Sequence, residues 1–343
     1  MNTIEAETKV GMADEFREAP DAVRRQADAL AEPLRALVRR LRDRPPQVVV
    51  TCARGSSAHA ATFGKHLIER RFGIPVAAAA PNIATVYHRP LELSGQLFLA
   101  ISQSGRSDDL IETAALARSA GALTVAMVNQ TESPLAKACE FVLPIAAGPE
   151  RSVAATKSFV ASLAALLRLM AEWQSDSVLS AAIGRLPDRL AAASNLDWGA
   201  ALDLLATSDS LVAIGRGPTL AIAREAALKL KETCDLHAEA FSGAEFRHGP
   251  IALVSTRFPI LMFLPTDEAA TGLPGLAADL NQKGARVFVA APDGALPALE
   301  HDHPDTDAVS LIQSFYGFLV RLAARRGMDI DQPRHLQKVT RTR

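Results

Sequence analysis

One pattern occurs twice in this chain at a nearly fixed interval, and it restricts the fold more than any other feature. The β-branched run 47–52 (QVVVTC) leads into Ala53, Arg54 and Gly55 and then a helical stretch from about Ser57 to Arg71. The run 210–214 (SLVAI) leads into Gly215, Arg216 and Gly217 and a helical stretch from about Pro218 to Glu232, so that Arg54 recurs as Arg216, 162 residues later. The apolar run beginning at Phe98 recurs at Ile260 with the same interval, and Gly121-Ala122 recurs as Gly284-Ala285 at an interval of 163. Three elements keeping step over that distance indicate a duplicated unit.

Within each copy the order reads strand, helix, strand, helix, strand. The strands are continuous apolar runs rather than alternating ones, as expected where helices cover both faces of a parallel sheet. The expected class is therefore α/β, with two tandem domains, each a doubly wound parallel sheet flanked by helices. A chain of 343 residues, 48% of them hydrophobic, is long enough for two cores. The expected divisions are a helical lead-in at 1–45, a first domain at 46–190, a second at 191–328 and a C-terminal tail at 329–343.

Charge and cysteine content exclude several classes of function. A formal net charge of -1 gives no general attraction to nucleic acid, and the basic run 334–343 reads as a solvated terminus. Cys52, Cys139 and Cys234 are odd in number, widely separated and without metal-ligand spacing, which points to a reducing, cytoplasmic setting and no structural zinc. Residues 1–18 are acidic and lack the apolar core of a signal peptide. The most apolar helical stretch, 159–173, is interrupted by Arg168 and falls short of the roughly 20 apolar residues a membrane span needs. The His301-Asp302-His303 run reads as an exposed loop rather than a ligand set, and no metal or cofactor is expected.

The first copy carries an anion-shaped corner. LFLAISQSGRSDDL (97–110) is an apolar strand running into Ser102, Gln103, Ser104 and Gly105, then a helix start at Asp108 and Asp109. A helix N-terminus offers unpaired N–H groups and the positive end of its dipole, and hydroxyls add donors around the same anion. Gly105 lets the backbone come close. Dinucleotide and P-loop glycine patterns do not follow any strand that can be placed, so no nucleotide is indicated. At the same place the second copy has Leu264, Pro265, Thr266 and Asp267, with an acid and no serine. It carries instead Glu225, Lys229 and Glu232, spaced to share one helix face, followed by His237, Glu239, Glu245 and His248. Anion grip and proton chemistry are thus divided between the copies.

Seven stretches in order resemble the sugar isomerase (SIS) domain family, and in particular the isomerase half of glucosamine-6-phosphate synthase and its stand-alone deaminase relatives. They are ARGSSAHAA (53–61), ISQSGRSDDL (101–110), AGPERSVAATKSF (147–159), EAALKLKE (225–232), HAEAF (237–241), RHGPIAL (247–253) and DQPRHLQKVT (331–340). The resemblance implies two tandem SIS domains. It also implies that Ser56, Ser57, Ser102, Gln103, Ser104 and Ser107 hold a sugar phosphate, with the chain around Val153 and Ala155 against the sugar and Glu225 and Lys229 in the substrate site. By the same resemblance Glu232 shuttles a proton between carbons one and two, His248 opens the ring, and Lys338 forms a Schiff base with the open ketose. The chain departs from the synthase pattern at Arg106, Ser107 and Ala155 and through 81–89 (PNIATVYHR).

The resemblance further implies a homodimer with a shared site, His248 coming from the other subunit, and a small-molecule sugar phosphate as partner. No counterpart of the synthase's ammonia-supplying glutaminase is read in the sequence, so the expected reaction is ammonia release: glucosamine 6-phosphate to fructose 6-phosphate. Alternatives at this stage are a fructosamine-6-phosphate deglycase, a synthase-like phosphosugar isomerase without glutaminase, and a non-catalytic sugar-phosphate sensor.

Overall fold

The computed structural model describes residues 11–89 and 91–338. The first ten residues of the lead-in and the last five of the tail, among them Val339 and Thr340 of the family-like C-terminal stretch, lie outside the described residues. After a lead-in helix α1 (Ala19–Asp43), the first half runs β1 (Val49–Cys52), α2 (Gly55–Phe72), β2 (Val76–Ala78), β3 (Leu97–Ser102), α3 (Asp108–Ser119), β4 (Leu123–Val128) and β5 (Phe141–Pro144). Helices α4 (Lys157–Gln174) and α5 (Ser177–Ala193) follow. The second half runs β6 (Ser210–Gly215), α6 (Pro218–Cys234), β7 (His237–Ser242), β8 (Pro259–Phe263), α7 (Leu273–Gln282), β9 (Arg286–Ala291), β10 (Leu296–Pro297) and α8 (Pro304–Arg325).

Each half builds a five-stranded sheet, in the orders β2-β1-β3-β4-β5 and β10-β9-β8-β6-β7, and the recorded pairings are parallel. Counted within its own half, the second order is the first read backwards, so the topology is the same. Register is kept as well: Val50 pairs with Phe98, and their counterparts Val212 and Ile260 pair with each other. The central strands β1, β3 and β4 are buried along their whole length, which is why they read as unbroken apolar runs. The sequence reading finds three strands in each half. The structure adds the edge strands β2, β5, β7 and β10, which are short or polar on alternate residues.

Helix α4 is buried on nearly every face because α1, α2, α5 and α8 surround it. Its apolar character belongs to an interior helix, and among the described residues no helix is long and apolar enough to cross a membrane. The related helices α2 and α6 pack against each other and join the halves. At the end of α2, Arg70 binds Asp267 at 2.9 Å and Asp305 at 2.6 Å, while Arg71 binds Asp305 at 2.7 Å and Asp176 at 2.8 Å. The corner of the second half is thus occupied by protein contacts: Asp267 takes Arg70 of the first half, and the Thr266 hydroxyl donates to Asp307 of α8 at 2.9 Å.

Candidate active site

A cavity of about 290 Å³ opens at the carboxyl ends of β1 and β3. Strand order reverses between these two strands, where ligands bind in open parallel sheets. Two helices begin at its edge. Helix α2 starts directly at Gly55, two residues earlier than the sequence reading, and Gly55 itself adopts φ +53, a left-handed value that glycine takes at little cost. Helix α3 starts behind Ser107, and neither N-cap residue bonds the first turn through its side chain; in α3 the Leu110 N–H is taken by Asp109 Oδ1 at 2.9 Å, so the N–H groups left to an anion are those ahead of it. Ser56, Ser57, Ser102, Gln103, Ser104 and Ser107 all line this cavity.

The loop after β3 is shaped by its own hydroxyls. Ser102 Oγ accepts from the Gly105 N–H at 3.0 Å and Ser104 Oγ from the Arg106 N–H at 3.3 Å, leaving both hydroxyl protons to donate outward. Gly105 has φ +61, and a Cβ there would lie 2.1 Å from Ser133 Oγ, so no larger residue fits. Arg54 binds the buried Asp109 at 2.8 Å, which ties the two helix starts together and offsets an acid that would repel phosphate.

Helix α6 of the second half supplies the opposite wall. Lys229 and Glu232 line the cavity and are in direct contact, with Lys229 buried and the Glu232 carboxyl 21% exposed. Glu225, expected to touch substrate, does not line the cavity. It is wholly buried one turn behind, where it meets Lys229 at 3.5 Å, His59 Nδ1 at 2.8 Å and the Tyr316 hydroxyl at 3.5 Å. Burial disfavours both charges, but the partners outweigh it: Lys229 and His59 hold the Glu225 carboxyl below its usual range, and Glu225 and Glu232 hold Lys229 above its own. Lys229 is therefore an ammonium fixed between an inner and an outer carboxylate, with the outer one facing the cavity.

The third wall comes from the tail and the loop after β5, which bring Lys338, Val153 and Ala155 to the same cavity. Lys338 Nζ donates to Ser152 O at 2.6 Å and meets Glu150 Oε2 at 3.4 Å. Glu150, which the sequence reading missed, also accepts the Thr156 and Ser158 N–H groups at 3.0 Å each, where α4 begins. Glu15 of the lead-in accepts from the Ser152 N–H at 3.1 Å, and Asp331 of the tail accepts from the Met12 N–H at 2.7 Å. Lead-in, loop and tail are pinned to one another beside the cavity.

Other titratable residues fall outside it. His237, Glu239, Glu245 and His248 are exposed, and none of them lines this cavity. His248 follows the short helix Gly243–Phe246, its N–H donating to Glu245 O at 2.9 Å. The His301-Asp302-His303 run caps α8: the His303 ring accepts from the Asp305 N–H at 3.2 Å, and Asp302 binds Arg185 at 2.7 Å. Cys52, Cys139 and Cys234 are buried and unbridged, and burial pushes the Cys52 thiol up to about 12. Among the described residues no group of three or more His, Cys, Asp or Glu side chains is arranged to hold a metal ion.

A family model described as the SIS domain matches residues 44–171 and 204–291. Glutamine–fructose-6-phosphate aminotransferase (isomerizing) from Symbiobacterium thermophilum is 33% identical over 318 residues, covering 84% of this chain and 51% of the relative. The corresponding protein of Sulfurisphaera tokodaii is 29% identical over 98% of this chain and 58% of its own length, so the chain spans little more than half of the curated relatives it matches. A solved structure from Silicibacter pomeroyi DSS-3, put forward as a phosphosugar isomerase, superposes with a TM-score of 0.89 at 44% identity, covering 94% of this chain and all of that one. Glucosamine-6-phosphate deaminase of Thermotoga maritima shares the fold, with a TM-score of 0.78 at 22% identity over 96% of this chain and 99% of its own. Matched across both halves by the family model, the chain belongs to the SIS domain family.

Proposed function

We propose that this protein is a phosphosugar enzyme that converts glucosamine 6-phosphate and water to fructose 6-phosphate and ammonia. The observation that carries the reading is one small cavity with a hydroxyl-rich double helix start on one side and the Lys229-held Glu232 carboxylate, with Lys338, on the other. At about 290 Å³ it lies just under the ~300–1,000 Å³ of drug-sized small-molecule sites, which suits a monosaccharide phosphate. The 33% identical relative is named for fructose 6-phosphate and for isomerization, which agrees with that class.

In this reading the phosphate lies against Ser56, Ser57, Ser102, Gln103, Ser104 and Ser107, and the sugar chain extends past Val153 and Ala155 toward Glu232. His248, donated by the second subunit of a homodimer, opens the ring. Glu232 takes the proton from carbon two of the open aldose and returns it to carbon one, leaving an imine at carbon two. Lys338 exchanges with the imine nitrogen and releases ammonia, and water then frees fructose 6-phosphate from Lys338. Water is the only co-reactant, and no metal or cofactor enters.

The test is release of ammonia and fructose 6-phosphate from glucosamine 6-phosphate by the purified protein. A Glu232→Gln variant is expected to lose about 10²–10⁴-fold in kcat, the range for removal of a general base. No ammonia from the wild type, or undiminished turnover by the variant, overturns the reading.

A further inference from the structure

A cavity of about 450 Å³ lies at the opposite end of the first sheet, where β3 and β4 begin at Leu97 and Leu123. It shares no lining residue with the candidate active site and has no part in the reaction above. The same elements nevertheless reach both places. β3 runs from Leu97 in this cavity to Ser102 in the other, and α3 returns from Asp108 to Ser119, each a span of roughly 17 Å.

Three guanidiniums converge on it: Arg40 and Arg44 from the end of α1, one helical turn apart, and Arg118 from the end of α3. Pro45 fixes the first pair. A residue before proline is kept out of the helical region, so α1 stops at Asp43 and Arg44 takes φ -138, its N–H still donating to Arg40 O at 3.2 Å. Arg118 donates to Ala138 O at 3.4 Å. Among the described residues none of the three is in an ion pair with a carboxylate, and Glu140 is the one acid of the lining. The carboxyl ends of α1 and α3 each add about half a negative charge. Three positive charges thus face about two negative ones, and the excess attracts an anion. Pro46, Leu97, Ala122 and Leu123 supply an apolar floor, whose two turns are tied by the Gly95 N–H donating to Gly121 O at 2.9 Å. The volume is within the ~300–1,000 Å³ of small-molecule sites and exceeds what a bare phosphate fills.

We infer that this cavity binds a small organic phosphate, its phosphate taken by Arg40, Arg44 and Arg118 and its carbon body laid on Pro46 and Leu123. Guanidinium suits the task, because its planar fork gives two parallel N–H groups to the oxygens of one phosphate. The repulsion among three like charges is relieved by the same anion. The inference goes beyond the reaction assigned to the first cavity and does not depend on it.

The probe is 1-naphthyl phosphate, titrated by its fluorescence against the full chain at constant ionic strength, with orthophosphate as competitor. Arg44→Ser and Arg118→Ser, both at exposed positions, address this cavity. Arg35→Ser, exposed on α1 outside the cavity, controls for net charge, and Gly105→Ala disturbs the first cavity instead. Wild type, Arg35→Ser and Gly105→Ala are expected to bind the probe within about threefold of one another, and Arg44→Ser and Arg118→Ser to bind it about tenfold or more weakly. Orthophosphate is expected to bind about tenfold or more weakly than the probe, since it lacks the apolar body. No binding by the wild type, or equal losses in Arg35→Ser and Arg44→Ser, overturns the inference. A loss in Gly105→Ala with none in the two cavity variants also overturns it, by placing the probe in the first cavity, and leaves the sugar-phosphate reading standing. Orthophosphate binding as tightly as the probe overturns the organic class. Should a serine variant fail to fold by circular dichroism, Arg44→Lys, which keeps the charge without the fork, is expected to bind the probe about threefold or more weakly, and wild-type affinity there overturns the grip by the fork.

Discussion

At the scale of single residues, Lys229 sets the electrostatics of the site, because its charge is shared between a carboxylate that never meets solvent and one that faces the cavity. Removing it leaves Glu225 ionised, fully buried and held by His59 and Tyr316, so Lys229→Met is expected to cost about 3–5 kcal/mol. Glu225 also fixes a pH dependence. Its pKa is depressed in the folded protein, so the stability it contributes is present above the unfolded carboxylate value of about 4.3 and lost as pH falls through the folded value. Lys229 has a raised pKa, so its contribution is present below about 10.4 and lost as pH rises through the folded value. Denaturant unfolding of wild type and Glu225→Gln should show a difference that is constant from about pH 6 to 9 and shrinks toward pH 3; a difference unchanged at pH 3 contradicts the buried pair. The spacing of Glu225, Lys229 and Glu232 was legible in the sequence, but the inward turn of Glu225 was not. Helical periodicity tells which residues share a face, whereas the covering of that face by His59 and Tyr316 depends on elements 166 and 91 residues away.

At the scale of elements, the corner after β3 was legible because its signals are local: an apolar strand, a serine-rich turn, a glycine and a helix start. The same holds for the central strands, whose full burial writes unbroken apolar runs. Edge strands escape such reading. β2 and β10 have three and two residues, too few for a period, and β7 alternates exposed His237 and Glu239 with buried Ala238, which hid a strand among apparent site residues. Glu150 stayed invisible for a related reason: it joins the start of α4 to Lys338 across 188 residues of sequence. Gly105 gives this scale its test. A Cβ at φ +61, 2.1 Å from Ser133 Oγ, displaces either the serine loop or the Ser133 cap of the helix Pro134–Ala138. Gly105→Ala is therefore expected to cost about 1–3 kcal/mol of local strain and to weaken sugar-phosphate binding, seen as a KM increase of about tenfold or more with a smaller change in kcat. A KM within twofold of wild type would show that the phosphate lies elsewhere.

At the scale of the whole molecule, duplication explains how a helix of the second half comes to complete a site of the first. In each half the helix after the first strand packs on its counterpart, α2 on α6, so residues near the end of α6 are carried to the start of α2. The two corners then take different work: one keeps its uncapped helix starts for a ligand, and the other gives its Thr266 and Asp267 to contacts with α2 and α8. His248 remains outside this construction, exposed and absent from the lining of its own chain's cavity. If a second copy provides it, two defective chains can repair each other. Co-expressed with different tags, Glu232→Gln and His248→Ala should form hybrid dimers in which one site pairs an intact Glu232 with an intact His248, while the other site collects both defects. Random pairing makes half the dimers hybrid, each with one working site of two, so activity is expected at about a quarter of wild type from two chains that are inactive alone. Sites built within single chains would each keep one defect, and the mixture would stay as inactive as its parts. Isolating the doubly tagged species and finding no activity there would reject donation of His248 across a dimer while leaving the Glu232 assignment to its own test.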